Sequence, residues 1–106
     1  MSFEFPGLEG KSKMQNLMKH FREESFKEEI GEVEYMGDYK VGKIFYKDHE
    51  EETNLPKSDV IKFFLKDHET IIFRPSGTEP KMKAYVFANG DARIEHFKKL
   101  IPELLK

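Results

Sequence analysis

The amino-acid sequence predicts an α+β domain of two layers, in which two helices cover one face of an antiparallel sheet of about four to five strands. Apolar residues follow helical spacing near both ends of the chain, and β-forming residues dominate the middle. The 106 residues, 38% of them hydrophobic, are enough for one compact domain with a single core. We therefore expect one domain over residues 1–106, in which residues 1–6 are a leading segment or linker.

The first helix is predicted from about Ser12 to Ser25. Apolar side chains recur there three and four positions apart, which places them on one face of a helix. These residues are Met14, Leu17, Met18 and Phe21.

The next segment, Gly31–Tyr46, is rich in β-forming residues and is interrupted by turn signals. It predicts two short strands. The polar stretch Lys47–Asn54 that follows predicts an exposed loop. Its acidic run Glu50–Glu52 is interpreted as solvated, because it lacks the spacing of a cation site.

A β-hairpin is predicted from two apolar runs, Val60–Leu65 and Thr70–Phe73, which the short polar segment Lys66–Glu69 separates. Neighbouring residues of a strand point to opposite faces of a sheet. We therefore expect one of Phe63 and Phe64 to lie in the core and the other to cover a helix or to face a missing domain.

A further strand and a helix are predicted at the end of the chain. Alternation over Met82–Ala88 indicates the strand, because it places Met82, Ala84, Val86 and Ala88 on one face and Lys83, Tyr85 and Phe87 on the other. The turn Asn89-Gly90-Asp91 offers an N-cap for the helix, and Pro102 is expected to kink that helix or to start a separate last turn. The apolar side of the helix comprises Ile94, Phe97, Leu100, Ile101, Leu104 and Leu105.

Composition excludes several classes of function. The 18 Lys and Arg nearly balance the 20 Asp and Glu, so no overall field would hold the chain on nucleic acid or on an anionic membrane. There is no Cys, and the four His lie far apart in the sequence, which argues against a metal site. No apolar run approaches the length of a membrane span. We expect a cytoplasmic protein with no membrane and no nucleic-acid partner.

The connection between Phe73 and Met82 concentrates groups that can bind phosphate. The planar fork of Arg74 can hold two phosphate oxygens at once. The hydroxyls of Ser76 and Thr78 can donate hydrogen bonds, and Gly77 lets backbone amides approach an oxyanion. The alternative, on composition alone, is an ordinary long turn, because such residues are common in loops.

The same segment carries a family resemblance. RPSGTEPK, residues 74–81, followed by the predicted strand, resembles the signature loop of the C-terminal domain of the α-D-phosphohexomutases, the phosphoglucomutase and phosphomannomutase family. Three further segments, Gly7–Lys11, Asp38–Lys40 and Leu55–Val60, resemble the bacterial phosphoglucomutase-like branch. The resemblance implies the family's fourth domain, with a fold like that of the TATA-box-binding protein.

The resemblance also implies a function. The parent enzyme would interconvert sugar 1-phosphates and 6-phosphates, using a phosphoserine, Mg²⁺ and a cleft between four domains. By position, Arg74, Ser76, Gly77 and Thr78 match the family's phosphate contacts. Lys81 and Lys83 sit where further basic residues flank the loop, whereas Glu79 and Pro80 are interpreted as shaping it.

The family's serine loop, metal loop and sugar-recognition loop have no counterpart in this sequence. Asn89–Arg93 offers one carboxylate, too few for Mg²⁺, and is interpreted as a helix cap. We therefore expect no catalytic residue, no metal ligand and no cofactor in this chain, with Mg²⁺ bound elsewhere in the parent. The expected partners are a phosphosugar substrate and the preceding domains of a mutase.

Two other hypotheses stay open. The chain could be a freestanding phosphate-binding or phosphosugar-binding module without mutase activity. A weaker alternative is a domain that binds protein or nucleic acid, although the near-neutral charge argues against nucleic acid.

Overall fold

The fold was analysed in a computed structural model, which describes residues 1–105. These residues form seven strands and three helices. The strands are β1 (Ser2–Glu4), β2 (Val33–Asp38), β3 (Lys43–Phe45), β4 (Glu50–Glu52), β5 (Ile61–Leu65), β6 (Thr70–Pro75) and β7 (Lys81–Phe87). The helices are α1 (Gly10–Phe21), α2 (Glu24–Ile30) and α3 (Asp91–Leu104).

The strands form one sheet in the order β1-β7-β6-β5-β2-β3-β4, and every neighbouring pair is antiparallel. The predicted α+β class is therefore confirmed. The sheet has seven strands rather than the four to five expected, because β1 and β4 add a short strand at each edge. The strands predicted over residues 31–46, the hairpin β5–β6 and the strand β7 are all present.

The first edge strand corrects the interpretation of residues 1–6 as a leading segment or linker. Ser2–Glu4 pairs with β7, and the N-terminal ammonium donates a hydrogen bond to the Ala84 carbonyl oxygen at 2.8 Å. An edge strand can be held by main-chain bonds alone, and a three-residue segment is too short to show an alternating pattern.

The other edge strand, β4, corrects the prediction that Lys47–Asn54 is a loop throughout. Glu50–Glu52 pairs with β3 although all three residues are exposed. Across the strands, Lys43 Nζ lies 2.9 Å from Glu50 Oε1. An exposed acidic sequence can therefore add a strand where a paired neighbour supplies hydrogen bonds and a counter-charge.

The helix predicted over Ser12–Ser25 is divided into α1 and α2, which is a third correction. Phe21 and Phe26 are both fully buried, with ring centroids 4.7 Å apart. Five residues of continuous helix would turn these side chains about 140° apart, onto different faces. The chain breaks at Glu23, whose backbone is extended, so that both rings reach the core.

The core lies between the helices and one face of the sheet, as predicted for two layers. Phe63 is fully buried there, which confirms that one of the two neighbouring phenylalanines belongs to the core. Phe64 lies on the opposite face and stacks on Tyr35 with a centroid distance of 4.3 Å. The other fully buried large side chains include Phe73, Phe97, Ile61, Ile71, Met82 and Ile101.

The last helix starts at the predicted turn. Gly90 is its N-cap residue, with φ of 88°, and Asp91 lies in the first turn without a side-chain capping bond. The helix continues through Pro102, so no separate turn follows. Pro102 removes one backbone hydrogen bond, and α3 ends two residues later at Leu104. Among residues 1–105, no helix combines the length and the hydropathy needed to cross a membrane.

Candidate phosphate-binding site

The predicted phosphate loop lies at one end of the sheet, between the end of β6 and the start of β7. Because β5 and β6 run antiparallel, with Ile61 opposite Phe73, the segment that leads into β5 lies at the same end. The segment before α1 also reaches this end, since Phe5 donates its N–H to the Pro80 carbonyl oxygen at 2.7 Å. Three separate parts of the chain therefore meet around the loop.

A cleft of about 500 Å³ lies where these parts meet. Two of the residues around it are basic, Lys11 in the first turn of α1 and Arg74 in β6. The others are Met14, Gln15, Met18, Ser58, Asp59, Val60, Pro75, Ser76 and Gly77. The cleft thus combines two basic residues, one acidic residue, several neutral hydrogen-bonding groups and apolar side chains.

The loop itself is a tight turn held by its own backbone. The Ser76 N–H donates to the Lys81 carbonyl oxygen at 2.8 Å, and the Lys81 N–H donates to the Glu79 carbonyl oxygen at 2.8 Å. Ser76 Oγ accepts from the N–H groups of Glu79 at 3.2 Å and Thr78 at 3.5 Å. Two loop amides are therefore directed at Ser76, and the Ser76 hydroxyl keeps its own hydrogen for a ligand.

The backbone conformation at Gly77 does not require a glycine. Its φ is not in the left-handed region, and a Cβ placed on it would meet no atom within 4 Å. The absence of a side chain instead leaves the cleft open at this point. An oxyanion can therefore approach the backbone closely there.

The sequence-predicted residues divide into two groups. Arg74, Ser76 and Gly77 line the cleft, whereas Thr78, Lys81 and Lys83 are not among its lining residues. Lys83 lies directly opposite Arg74 in the β6–β7 pairing, and the two side chains leave the same face of the sheet.

Lys81 is engaged by two acidic residues. Its Nζ lies 3.0 Å from Glu79 Oε2 and 3.8 Å from Glu4 Oε1. The hydrogen bond to Glu79, together with its charge, raises the pKa of Lys81, and the same contact lowers the pKa of Glu79. Glu79 therefore contacts Lys81 in addition to its place in the turn.

Beside the cleft, Arg22 contacts α1, β2 and the segment before β5, which sequence reasoning did not connect. Its Nε lies 2.7 Å from Asp38 Oδ2, its Nη2 lies 3.2 Å from Asp59 Oδ1, and its Nη1 donates to the Met18 carbonyl oxygen at 3.0 Å. Burial lowers the pKa of Arg22, but hydrogen bonds to the two aspartates, and their charges, more than offset burial and leave the pKa raised.

Sequence reasoning also missed Lys11 and Asp59 as parts of the cleft. Each lies in a segment that carries the family resemblance, yet nothing in a single sequence brings residues 11, 59 and 74 together. Only the antiparallel register and the return of α1 to the same end of the sheet do so. Among residues 1–105, no three His, Asp or Glu side chains are grouped so that they could hold a metal ion.

Comparison with known proteins places this chain beside part of a larger enzyme. It is 45% identical over 83 residues to a phosphoglucomutase of Staphylococcus aureus (strain MSSA476), a match that covers 76% of the chain. It is 40% identical over 93 residues to a phosphoglucomutase of Staphylococcus epidermidis (strain ATCC 35984), a match that covers 85% of the chain.

The chain spans only 15% and 17% of the length of these two relatives. No protein-family model and no solved structure matches it. The resemblance to phosphoglucomutases is nevertheless confirmed. The chain corresponds in sequence to a short part of such enzymes.

Proposed function

We propose that this chain is the domain of a phosphoglucomutase or phosphomannomutase that binds the substrate's phosphate at the end that does not react. The observation that carries the proposal is that Lys11, Arg74, Ser76 and Gly77, from separate parts of the chain, line one cleft. Guanidinium and ammonium groups with neutral donors are the groups that bind a dianion without reacting with it.

In this proposal Arg74 holds two phosphate oxygens with its planar fork, and Lys11 adds a second positive charge from another element. Ser76 donates its hydroxyl hydrogen. Thr78 lies on the loop and can donate its hydroxyl hydrogen to the phosphate. Lys81 and Lys83 lie on the strand beside it, where their charges add to the local positive potential.

The role is one of positioning. A mutase that interconverts 1-phosphates and 6-phosphates must hold the sugar in two orientations, and one non-reacting phosphate site serves both. Holding the substrate in place lowers the entropic cost of the reaction without any bond being formed here. The phosphoryl donor and Mg²⁺ belong, in this proposal, to the preceding domains of a cytoplasmic parent enzyme, which are also this chain's partners.

A second candidate is a freestanding module that binds phosphosugars. The cleft lined by residues of this chain would serve such a module as well as a mutase domain. The coding sequence upstream of this chain distinguishes the two candidates. A reading frame that continues upstream of Gly7 into a serine loop and a metal loop supports the mutase domain, and a reading frame without them supports the module.

The test of phosphate binding is an NMR titration of the chain with glucose 6-phosphate. For the unaltered chain we expect a dissociation constant on the order of 1 mM, equivalent to about 4 kcal/mol. Arg74→Lys keeps the charge but loses the fork, so it should weaken binding about tenfold.

The control is Lys98→Ala. Lys98 lies on α3, outside the cleft, and pairs only with Glu95 among the contacts of the described residues. Its loss removes one positive charge and should leave the affinity unchanged. An Arg74→Lys chain with unaltered affinity would overturn the proposed role of Arg74.

A further inference from the structure

The cleft beside the phosphate loop contains a carboxylate that phosphate binding does not explain. Asp59 lines the same cleft as Arg74 and Ser76. A negative charge there repels a phosphate dianion and opposes what the two cations do. Its presence therefore indicates a ligand group other than phosphate.

The charge of Arg22 does not by itself explain why an acidic residue stands at position 59. Asp38 already meets that guanidinium at two points, 2.7 and 3.2 Å, and its side chain is only 6% exposed. Asp59 adds one contact at 3.2 Å through Oδ1, and its side chain is 41% exposed. One Arg and two Asp leave a net charge of −1, and of these three residues only Asp59 lines the cleft.

The carboxylate is also oriented by a contact, since Arg22 Nη2 lies 3.2 Å from Asp59 Oδ1. Arg22 is itself held by Asp38 and by the Met18 carbonyl oxygen, and only a quarter of its side chain is exposed. A carboxylate that one fixed guanidinium orients can present its remaining lone pairs in a defined direction. Sugar hydroxyls are donors that suit such an acceptor.

The size and lining of the cleft fit the same ligand. A cleft of about 500 Å³ lies within the range of roughly 300 to 1,000 Å³ that is typical of pockets for whole small molecules. Its apolar floor, Met14, Met18 and Val60, can pack against the C–H face of a sugar ring. Gln15 and Ser58 add neutral hydrogen-bonding groups.

We infer that Asp59 accepts hydrogen bonds from ring hydroxyls of a hexose phosphate whose phosphate lies at Arg74, so that this chain recognises the sugar as well as its phosphate. The inference rests on the proposed function, because the phosphate fixes where the ring lies. Arg22 is a positioning residue for Asp59 and does not touch the ligand.

The experiment compares two ligands, glucose 6-phosphate and methyl phosphate, which share a phosphate monoester but differ in ring hydroxyls. The unaltered chain should bind glucose 6-phosphate about tenfold more tightly. Asp59→Asn should remove most of this preference, while the affinity for methyl phosphate stays the same or rises, because a repelling charge is lost.

Two further variants separate position from charge. Asp59→Glu keeps the charge but moves the carboxylate by one methylene group, so it should also lose the preference. Asp67→Asn removes the same charge at the far hairpin tip, where Asp67 has φ of 60°, a conformation that Asn tolerates, and should leave both affinities unchanged.

Each outcome decides the inference. Equal affinity of the unaltered chain for the two ligands overturns it, and this arm needs no variant to fold. An Asp59→Asn chain in which both affinities change by the same factor also overturns it, while phosphate binding stands. If neither ligand binds the unaltered chain, the proposed function fails together with the inference.

Discussion

Lys81 Nζ lies 3.0 Å from Glu79 Oε2, so the last basic residue of the RPSGTEPK segment is paired with an acid from the same segment. The contact lowers the pKa of Glu79 and raises that of Lys81. Much of the positive charge of Lys81 is thereby balanced before any ligand arrives.

Glu79→Gln should therefore strengthen phosphate binding, because it releases Lys81 and removes a negative charge beside the loop. We expect a gain of about two- to threefold at low salt, and a smaller one at physiological ionic strength. The measurement is the dissociation constant for methyl phosphate at two salt concentrations. Glu28→Gln, an exposed change on α2, is the control. Weaker binding by Glu79→Gln would mean that Glu79 holds the loop in its binding shape.

Replacing two glycines near the loop by alanine should have different effects, one on stability and the other on phosphate binding. A Cβ on Gly10 would lie well inside van der Waals contact with the Phe5 carbonyl oxygen, so Gly10→Ala must displace the start of α1 or the chain before it. We expect a loss of about 1 to 3 kcal/mol in the free energy of unfolding.

Gly77→Ala should leave the free energy of unfolding within about 0.5 kcal/mol, because the added methyl group meets no atom within 4 Å and the φ is ordinary. It should nevertheless weaken phosphate binding, since the methyl group would occupy the open part of the cleft. Chemical denaturation and NMR titration measure the two effects. A Gly77→Ala chain that binds phosphate normally would show that no ligand approaches this backbone.

Ser76→Ala should loosen the loop as well as weaken binding. Ser76 Oγ accepts from the N–H of Glu79 at 3.2 Å, and the change leaves that amide without this partner. We expect the free energy of unfolding to fall by about 0.5 to 1.5 kcal/mol and the Glu79 amide to exchange its hydrogen faster. Unchanged exchange at Glu79 would contradict the role of Ser76 in shaping the turn.

The stability of the domain should depend on pH through Glu69. This carboxylate is nearly fully buried, and it accepts hydrogen bonds from Arg93 at 2.8 and 3.1 Å and from the Asn89 N–H at 2.9 Å. The bonds from Arg93, followed by that from Asn89 and the charges of Arg93 and His96, outweigh burial and lower the pKa of Glu69 below its ordinary value of 4.5.

Because the pKa is lower in the folded state, the stabilisation by Glu69 is present above about pH 4.5 and is lost as the pH falls through the folded value. Glu69→Gln should lower the free energy of unfolding by about 2 kcal/mol at pH 7. Below pH 4.5 the variant should lose less stability than the unaltered chain does. Thermal melts from pH 7 to pH 3 measure this, with exposed Glu34→Gln as the control. Equal pH dependence in Glu69→Gln and the unaltered chain would contradict the assignment.

The isolated chain should fold and yet lack mutase activity. The proposed function places the phosphoryl donor and Mg²⁺ outside it. The measurement is turnover of glucose 1-phosphate by the purified 106-residue chain in the presence of Mg²⁺. Turnover that persists through further purification and is lost in Arg74→Ala would show that the chain contains catalytic groups of its own.

Periodicity predicted the parts of the fold that bury apolar side chains. The strands around Phe63 and Phe73 and the last helix around Phe97 each have a regular apolar pattern, and each is present. The strand Glu50–Glu52 could not be found in this way, because it buries nothing and depends on the edge that β3 offers. The break between α1 and α2 was also invisible, since it depends on Phe21 and Phe26 sharing one core.

The same limit applies to the site. The loop 74–81 could be recognised because its groups are consecutive in sequence. Lys11 and Asp59 could not, since they reach the cleft through the tertiary fold. Nor does the sequence indicate that Glu79 pairs with Lys81 rather than only shaping the turn.

Mapping the amides that respond to glucose 6-phosphate in a ¹⁵N-labelled sample tests the phosphate-binding site most directly. We expect the amides of Ser76, Gly77 and Thr78 to shift first, with that of Lys11, and to saturate at millimolar ligand. Shifts centred on residues 50–53 or on residues 89–93, or no shifts at all, would contradict the assignment of the cleft between α1 and the β6–β7 loop as the phosphate site.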